Sequence, residues 1–332
     1  MASAAMIWML LLPGKAAHAA EAATGVYLLG SKSSMAGVLP PPGTYISTIK
    51  YFYSGDASAA AATGAALQQI GNVTVEADVE LDARAFIELP TALWISPREI
   101  LGGNLGLGII APVGWKDISV HLDARASLTL PNGRNLSAGQ QFSRDDNVFS
   151  FGDPLLTAIL GWHQGNWHWN LSGLLNIPIG AYDEDALANI GFNRWAADLT
   201  AAVTWFDPGS GHEVSVAAGF TFNGENPDTD YKTGTEFHAE FAAMQHLSQS
   251  FAIGITGYHY DQISGDSGAG ARLGAFKGRV TALGPNINYN FQWDRTPVST
   301  SLRWLHEFDA RNRLEGNAIL FSAAIPIGIV GQ

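Results

Sequence analysis

A chain of 332 residues with 30 acidic against 18 basic side chains, no cysteine and 37 glycines is a poor partner for nucleic acid and has no disulfide framework. It contains no run of 18 or more apolar residues, and a helix needs about 20 to cross a bilayer, so helical spanning is excluded. The other spanning solution is a closed barrel, whose alternating strands never raise a hydropathy peak.

Taken in chain order, the first residues read as an export signal. An apolar run from Ala4 to Leu12 is followed by Pro13-Gly14 and by small residues around Ala17-His18-Ala19, so residues 1–19 are expected to be cleaved. Loss of Lys15 then moves the net charge from −12 to −13. Residues 20–71 form a segment ahead of the barrel. Between Gly25 and Gly43 it carries Leu28, Leu29, Met35, Val38 and Leu39 and then Pro40, Pro41 and Pro42, too broken by Pro and Gly for a central strand. These residues are expected to enter the lumen as a plug or hatch. The alternative pairs Thr44 to Ser54 with the barrel, with Gly25 to Gly30 as partner, and gives fourteen strands instead of twelve.

From Asn72 the chain alternates without a break to Leu89: Val73, Val75, Ala77, Val79, Leu81, Ala83, Ala85 and Ile87 fall on one face, and Glu76, Asp78, Glu80, Asp82, Arg84 and Glu88 on the other. A period of two belongs to a strand, and one greasy face backed by one charged face fits a wall between lipid and water. Pro90 and Pro97 are expected to break it. A Gly-rich strand from Leu101 to Ala111 follows, then Ile118 to Leu130, which puts His121, Asp123 and Arg125 on its polar face, and then a polar loop to Pro154. Nine further strand-like runs, ending at Ile325, make twelve. The fold expected is therefore all-β, a transmembrane antiparallel up-and-down barrel over residues 72–328. Connections alternate between short (164–166, 207–211, 248–249, 293–297) and long (131–153, 178–193, 224–234, 261–275), as periplasmic turns and outer loops do. On that rule the strand at Asn72 begins at the periplasmic end. Trp115, Trp162, Trp167, Trp205 and Trp293 then fall near periplasmic turns and Trp195 near an outer loop, as an interfacial girdle would.

The residues expected to line the lumen are Glu76, Asp78, Glu80, Asp82, Arg84, His121, Asp123, Arg125, Glu236, Glu240, Arg303, Glu307, Arg313 and Glu315. Charges facing a barrel interior must be hydrated or paired, so these form either a polar passage or a network that fills the barrel.

Several words of the chain, read together, resemble the outer-membrane family named for the meta-cleavage pathway of phenol degradation. They are Met35-Ala36-Gly37-Val38-Leu39-Pro40-Pro41-Pro42-Gly43, Tyr51-Phe52-Tyr53-Ser54-Gly55-Asp56, Gly161-Trp162-His163, Gly265-Asp266-Ser267-Gly268-Ala269-Gly270, Leu283-Gly284-Pro285, Trp304-Leu305-His306-Glu307-Phe308 and Asn312-Arg313-Leu314-Glu315-Gly316. The resemblance implies a protein of the Gram-negative outer membrane, in contact with lipid, lipopolysaccharide and the barrel assembly machinery, that admits small hydrophobic or aromatic solutes. The chain departs from many such barrels in ending Ile329-Val330-Gly331-Gln332 instead of on an aromatic residue.

No cofactor or metal is called for. Asn223, Glu225, Asn226, Asp228 and Asp230 crowd oxygen ligands into one loop, but without the order of an EF-hand. Gly265-Asp266-Ser267-Gly268 looks like a protease nucleophile loop without its histidine word. The rival classes are an outer-membrane enzyme acting on lipid or ester, with His121, His238 or His259 as base, and a structural barrel without transport.

Overall fold

The computed structural model describes residues 25–57, 68–70, 73–129, 134–271, 274–275 and 277–329, with the side chains of 68–70, 73–79, 124, 126, 128, 129, 135 and 329 left out of the description. Its strands are β1 (Gly43–Ala57), β2 (Gln68–Ile70), β3 (Val73–Ile100), β4 (Gly103–Ile110), β5 (Val113–Thr129), β6 (Asn135–Phe151), β7 (Leu155–Gln164), β8 (Trp167–Asn176), β9 (Ala196–Asp207), β10 (His212–Asn223), β11 (Glu225–Asn226), β12 (Tyr231–Lys232), β13 (Glu236–His246), β14 (Phe251–Gln262), β15 (Arg279–Trp293), β16 (Thr296–Arg311) and β17 (Glu315–Ile329). Twelve of them form a ring in the order β1-β17-β16-β15-β14-β13-β10-β9-β8-β7-β4-β3, closed by the β1–β3 pairing. Every pairing around it is antiparallel.

Two extra strands stand on this ring. β5 continues β4 beyond Ala111-Pro112 and pairs with the first part of β3, and β6 pairs with β5 before leading into β7. With 28 residues, β3 is about 90 Å long at about 3.3 Å per residue. That exceeds a bilayer by far, so β3, β5 and β6 rise as a three-stranded extension from one side of the barrel.

The ring is apolar outside and polar inside. In β9 and β10 the buried side chains are Asp198, Thr200, Thr204, Glu213, Ser215 and Thr221, whereas Leu199, Val203, Val214, Val216, Phe220 and Phe222 are exposed. A soluble sheet would bury the second set. Hydrocarbon turned outward around a closed ring has lipid as its solvent.

Four expectations are corrected. The segment Thr44 to Ser54 is a wall strand, β1, yet the ring still has twelve members, because 101–111 and 118–130 are one run bent at Pro112. β3 also passes through Pro90 and Pro97. Pro90 faces the Ala111-Pro112 bend, where its carbonyl accepts from Ala111 N and its missing donor costs no ladder bond, and Pro97 sits in the register shift between Ile95 and Glu99. The turn is instead Leu101-Gly102, both at positive φ (53° and 73°), which is the two-residue hairpin geometry. Consequently Val73 starts at the end away from the short turns. Finally, the polar loop expected over 131–153 is largely β6, whose Gln140, Gln141, Ser143, Arg144, Asp145, Asp146 and Asn147 hide the period of two. A strand that stands in water beyond the lipid has no need of a hydrocarbon face.

Candidate functional site

The residues that fill the lumen come from the ring and from residues 25–42. Val26 packs with Leu155 and Ala196 near the long-loop end, and the chain then descends along inward-facing side chains until Gly43 enters the wall beside Ile95 and Ile329. Tyr27 stacks on His238 at 3.6 Å between centroids and 15° between planes. His238 Nε2 in turn lies 2.8 Å from Asp198 Oδ2, a carboxylate that also accepts from Thr200 and Thr221.

One turn further on, the Gly30 peptide is gripped from both sides. Its N–H donates to Glu240 Oε1 at 2.9 Å, and its carbonyl accepts from Arg303 at 2.6 Å, with Ser31 O a second acceptor at 3.1 Å. Nearer the short turns, Ser33 bonds Thr256 and Asn286, and Asn288 donates to Ser34. Ser34 Oγ and Met35 N both donate to Glu213, at 2.8 and 2.6 Å, while His246 Nε2 and Ser215 Oγ meet the same carboxylate at 2.7 Å each. Met35 holds a left-handed φ of 57° to reach it. Gly37 donates to Thr204, and Asn170 donates to Ala36 O. A Cβ on Gly37 would lie 2.5 Å from His168 O and 2.6 Å from Thr204 N, so only glycine fits there. Burial pushes the Lys32 ammonium down, against the pull of Glu240 and Asp198.

Above Gly30 the lumen is aromatic. Tyr53 and Tyr258 donate to the two oxygens of Glu307 at 2.7 and 2.5 Å, and Tyr260 donates to Glu236 at 2.7 Å, with the Arg313 guanidinium 4.2 Å above its ring. Tyr27, Leu29, Leu305 and Leu320 join these tyrosines in one cluster.

The mouth is covered by the connection 177–195. Asp153 accepts from Gly180 N and Phe192 N, Asp146 from Leu187 N and Ala188 N, while Lys116 donates to Asn189 O and Arg144 to Asp185 O. Beneath it Ala57, Ala83, Ile118, Ala188 and Leu314 form an apolar cluster.

The structure divides the residues expected to line the lumen. Glu236, Glu240, Arg303 and Glu307 are buried inside, and Arg313 faces in over Tyr260. Glu315 is exposed on the outer face. Glu80, Asp82, Arg84, His121 and Arg125 are also exposed, and Asp123, bonded to Arg125 at 3.1 Å, shows 29% of its side chain. Their face is that of Phe52, Phe86 and Trp115, which lie in register on the outside, while Leu81, Ala83, Ile118 and Val120 point inward to the mouth cluster. The reversal has a plain cause: on the extension the outer face meets water, not lipid, and the inner face meets the covering loop. The side chains of Glu76 and Asp78 lie outside the described residues.

Of the tryptophans, Trp162, Trp167, Trp205 and Trp293 flank short turns, and Trp195 precedes β9 at the opposite end. Trp115 is corrected: its partner Phe86 pairs with Phe52, in the half of β1 remote from the short turns.

Sequence reasoning missed Asp198, Glu213, Ser33, Ser34 and the inward tyrosines. For Glu213 the signal was present, since Glu213, Ser215, Gly219 and Thr221 alternate with Val214, Val216, Phe220 and Phe222. In the outer loops, Asn226 Oδ1 and Asp228 Oδ2 accept from Asn193, and Asp266 accepts from Gly234 N, Gln262 and Tyr231. These oxygens are spent on loop geometry.

Comparison with known proteins adds three findings. The family described as "Putative MetA-pathway of phenol degradation" matches residues 63–323. No curated protein matches in sequence. Among solved structures, the COG4313 outer membrane channel from Pseudomonas putida F1 is similar, with a TM-score of 0.63 and 16% identity over 89% of this chain and 98% of that one. A FadL homologue from Pseudomonas aeruginosa aligns at a TM-score of 0.31 and 10% identity over 85% and 89%, an overlap too loose to carry an argument.

Proposed function

This chain belongs to the phenol-degradation family matched over residues 63–323, and from that premise we propose that it is an outer-membrane channel for passive uptake of small hydrophobic or aromatic compounds. Residues 25–42 are its hatch. The observation that carries the reading is a closed ring, apolar outside, whose lumen is filled by its own chain, held largely through hydrogen bonds to inward polar side chains. Such bonds contribute about 1 kcal/mol each against water, and about 1.5–3 kcal/mol where the acceptor is a carboxylate, so water or a solute can replace them one at a time. The inward tyrosines Tyr51, Tyr53, Tyr258 and Tyr260 offer ring faces for an aromatic solute to rest on between the mouth and the hatch.

The test is initial uptake of an apolar aromatic and of a small sugar, at limiting concentration, in intact cells with and without the gene. Loss of aromatic uptake alone supports the proposal. Loss of sugar uptake alone means an open aqueous pore, and loss of neither removes the transport reading.

A further inference from the structure

We propose that the lumen, once residues 25–42 have moved aside, favours cations and neutral molecules over anions, and that Glu213 and Glu240 set this preference. The proposal rests on the channel reading above and adds the charge class of the solute. Among the described residues, the ring turns five buried carboxylates inward: Asp198, Glu213, Glu236, Glu240 and Glu307. Against them stands one buried guanidinium on a ring strand, Arg303. At the mouth Asp153 and Asp266 join one side and Lys116, Arg194 and Arg313 the other, so the excess stays acidic.

The hatch matters because of how it holds two of these carboxylates. Glu240 receives Gly30 N, and Glu213 receives Ser34 Oγ and Met35 N, all neutral donors that satisfy a carboxylate without cancelling its charge. Lys32, the one Lys or Arg among residues 25–42 and within the field of Glu240, leaves with the hatch. Opening therefore bares two carboxylates at different depths against one guanidinium, Arg303, and removes Lys32 in the same step, so the uncovered wall is net negative. In a narrow passage with low-dielectric walls such charges focus the field, and a potential of about one kT concentrates cations about threefold. A neutral phenol is unaffected, while an aromatic carboxylate of the same size is disfavoured.

The test is the reversal potential of the full-length protein in a planar bilayer across a KCl gradient. Gly37→Val, which collides with the backbone at His168 and Thr204, loosens the hatch without touching a wall carboxylate. Gly30→Val, which collides with Leu305, loosens the hatch at a second point, where it leaves the Glu240 side chain itself unchanged, should the first variant fail to fold. Folding is checked by heat-modifiable mobility on gels. The expected result is a conductance above wild type with K+ favoured over Cl− about threefold, falling towards parity when Glu213→Gln and Glu240→Gln are added. Conductance with no preference, or with preference for Cl−, overturns the inference and leaves the channel intact. A preference that survives both Gln substitutions removes Glu213 and Glu240 from the role. No conductance from any folded variant overturns the channel reading and this inference with it.

Discussion

Replacing Glu213 by alanine should free the hatch at the short-turn end, and the size of the effect follows from the contacts. Its carboxylate receives two donors from the hatch, Ser34 Oγ and Met35 N, and two from the wall, Ser215 Oγ and His246 Nε2. Only the first two bear on hatch opening, because the wall pair loses its acceptor whether the hatch is in or out. Hydrogen bonds to a charged group contribute about 1.5–3 kcal/mol each, so the docked state loses about 3–6 kcal/mol. At about tenfold per 1.4 kcal/mol, opening rises about a hundred- to ten-thousandfold. Glu213→Gln keeps one acceptor oxygen and should lie between alanine and wild type. The chain has no cysteine, so Ala36→Cys is a clean reporter for labelling by a membrane-impermeant maleimide. The expected order of labelling rates is Glu213→Ala, then Glu213→Gln, then wild type. Equal rates in all three would show that the hatch is not held at Glu213.

Three more outcomes are expected. Leu305, fully buried among Tyr27, Leu29 and Leu320, should cost about 2–5 kcal/mol as alanine, read as a lower guanidinium midpoint for unfolding. Asp146→Ala combined with Lys116→Met removes the acceptor for Leu187 and Ala188 and the donor to Asn189, and should make the 183–189 stretch a new cleavage site for added protease, with the barrel itself resistant. Glu80→Gln and Arg125→Gln, on the exposed face of the extension, should change stability by less than about 0.5 kcal/mol and leave conductance as it was.

What could be read from the sequence was whatever lipid imposes. Where a strand crosses the bilayer the outward face must be hydrocarbon, so runs such as Val214, Val216, Phe220 and Phe222 betray both the strand and its inward partners. Glu236, Glu240, Arg303 and Glu307 were placed inside on this logic. The same logic misplaces Glu80, Asp82, Arg84 and Arg125, because alternation gives two faces without saying which is the inner one. The wet environment of the extension reverses the answer there. β6 was invisible for the same reason, polar side chains standing on both of its faces between Gln140 and Asn147. The grip on the hatch was hidden more deeply. Gly30, Met35 and Gly37 meet the wall through main-chain groups, and a peptide N–H leaves no mark on residue type beyond the glycines that let it approach.

The junction at Gly43 has a kinetic consequence. Residues 25–42 run straight into the strand that closes the ring, and Pro40, Pro41 and Pro42 form a short stiff leash anchored where β1 meets both β3 and β17. Should residues 25–42 leave the lumen as proposed, such a leash keeps them within a few nanometres of their berth. Their return would then be unimolecular and independent of how much protein the membrane holds, at a rate set by leash length and stiffness.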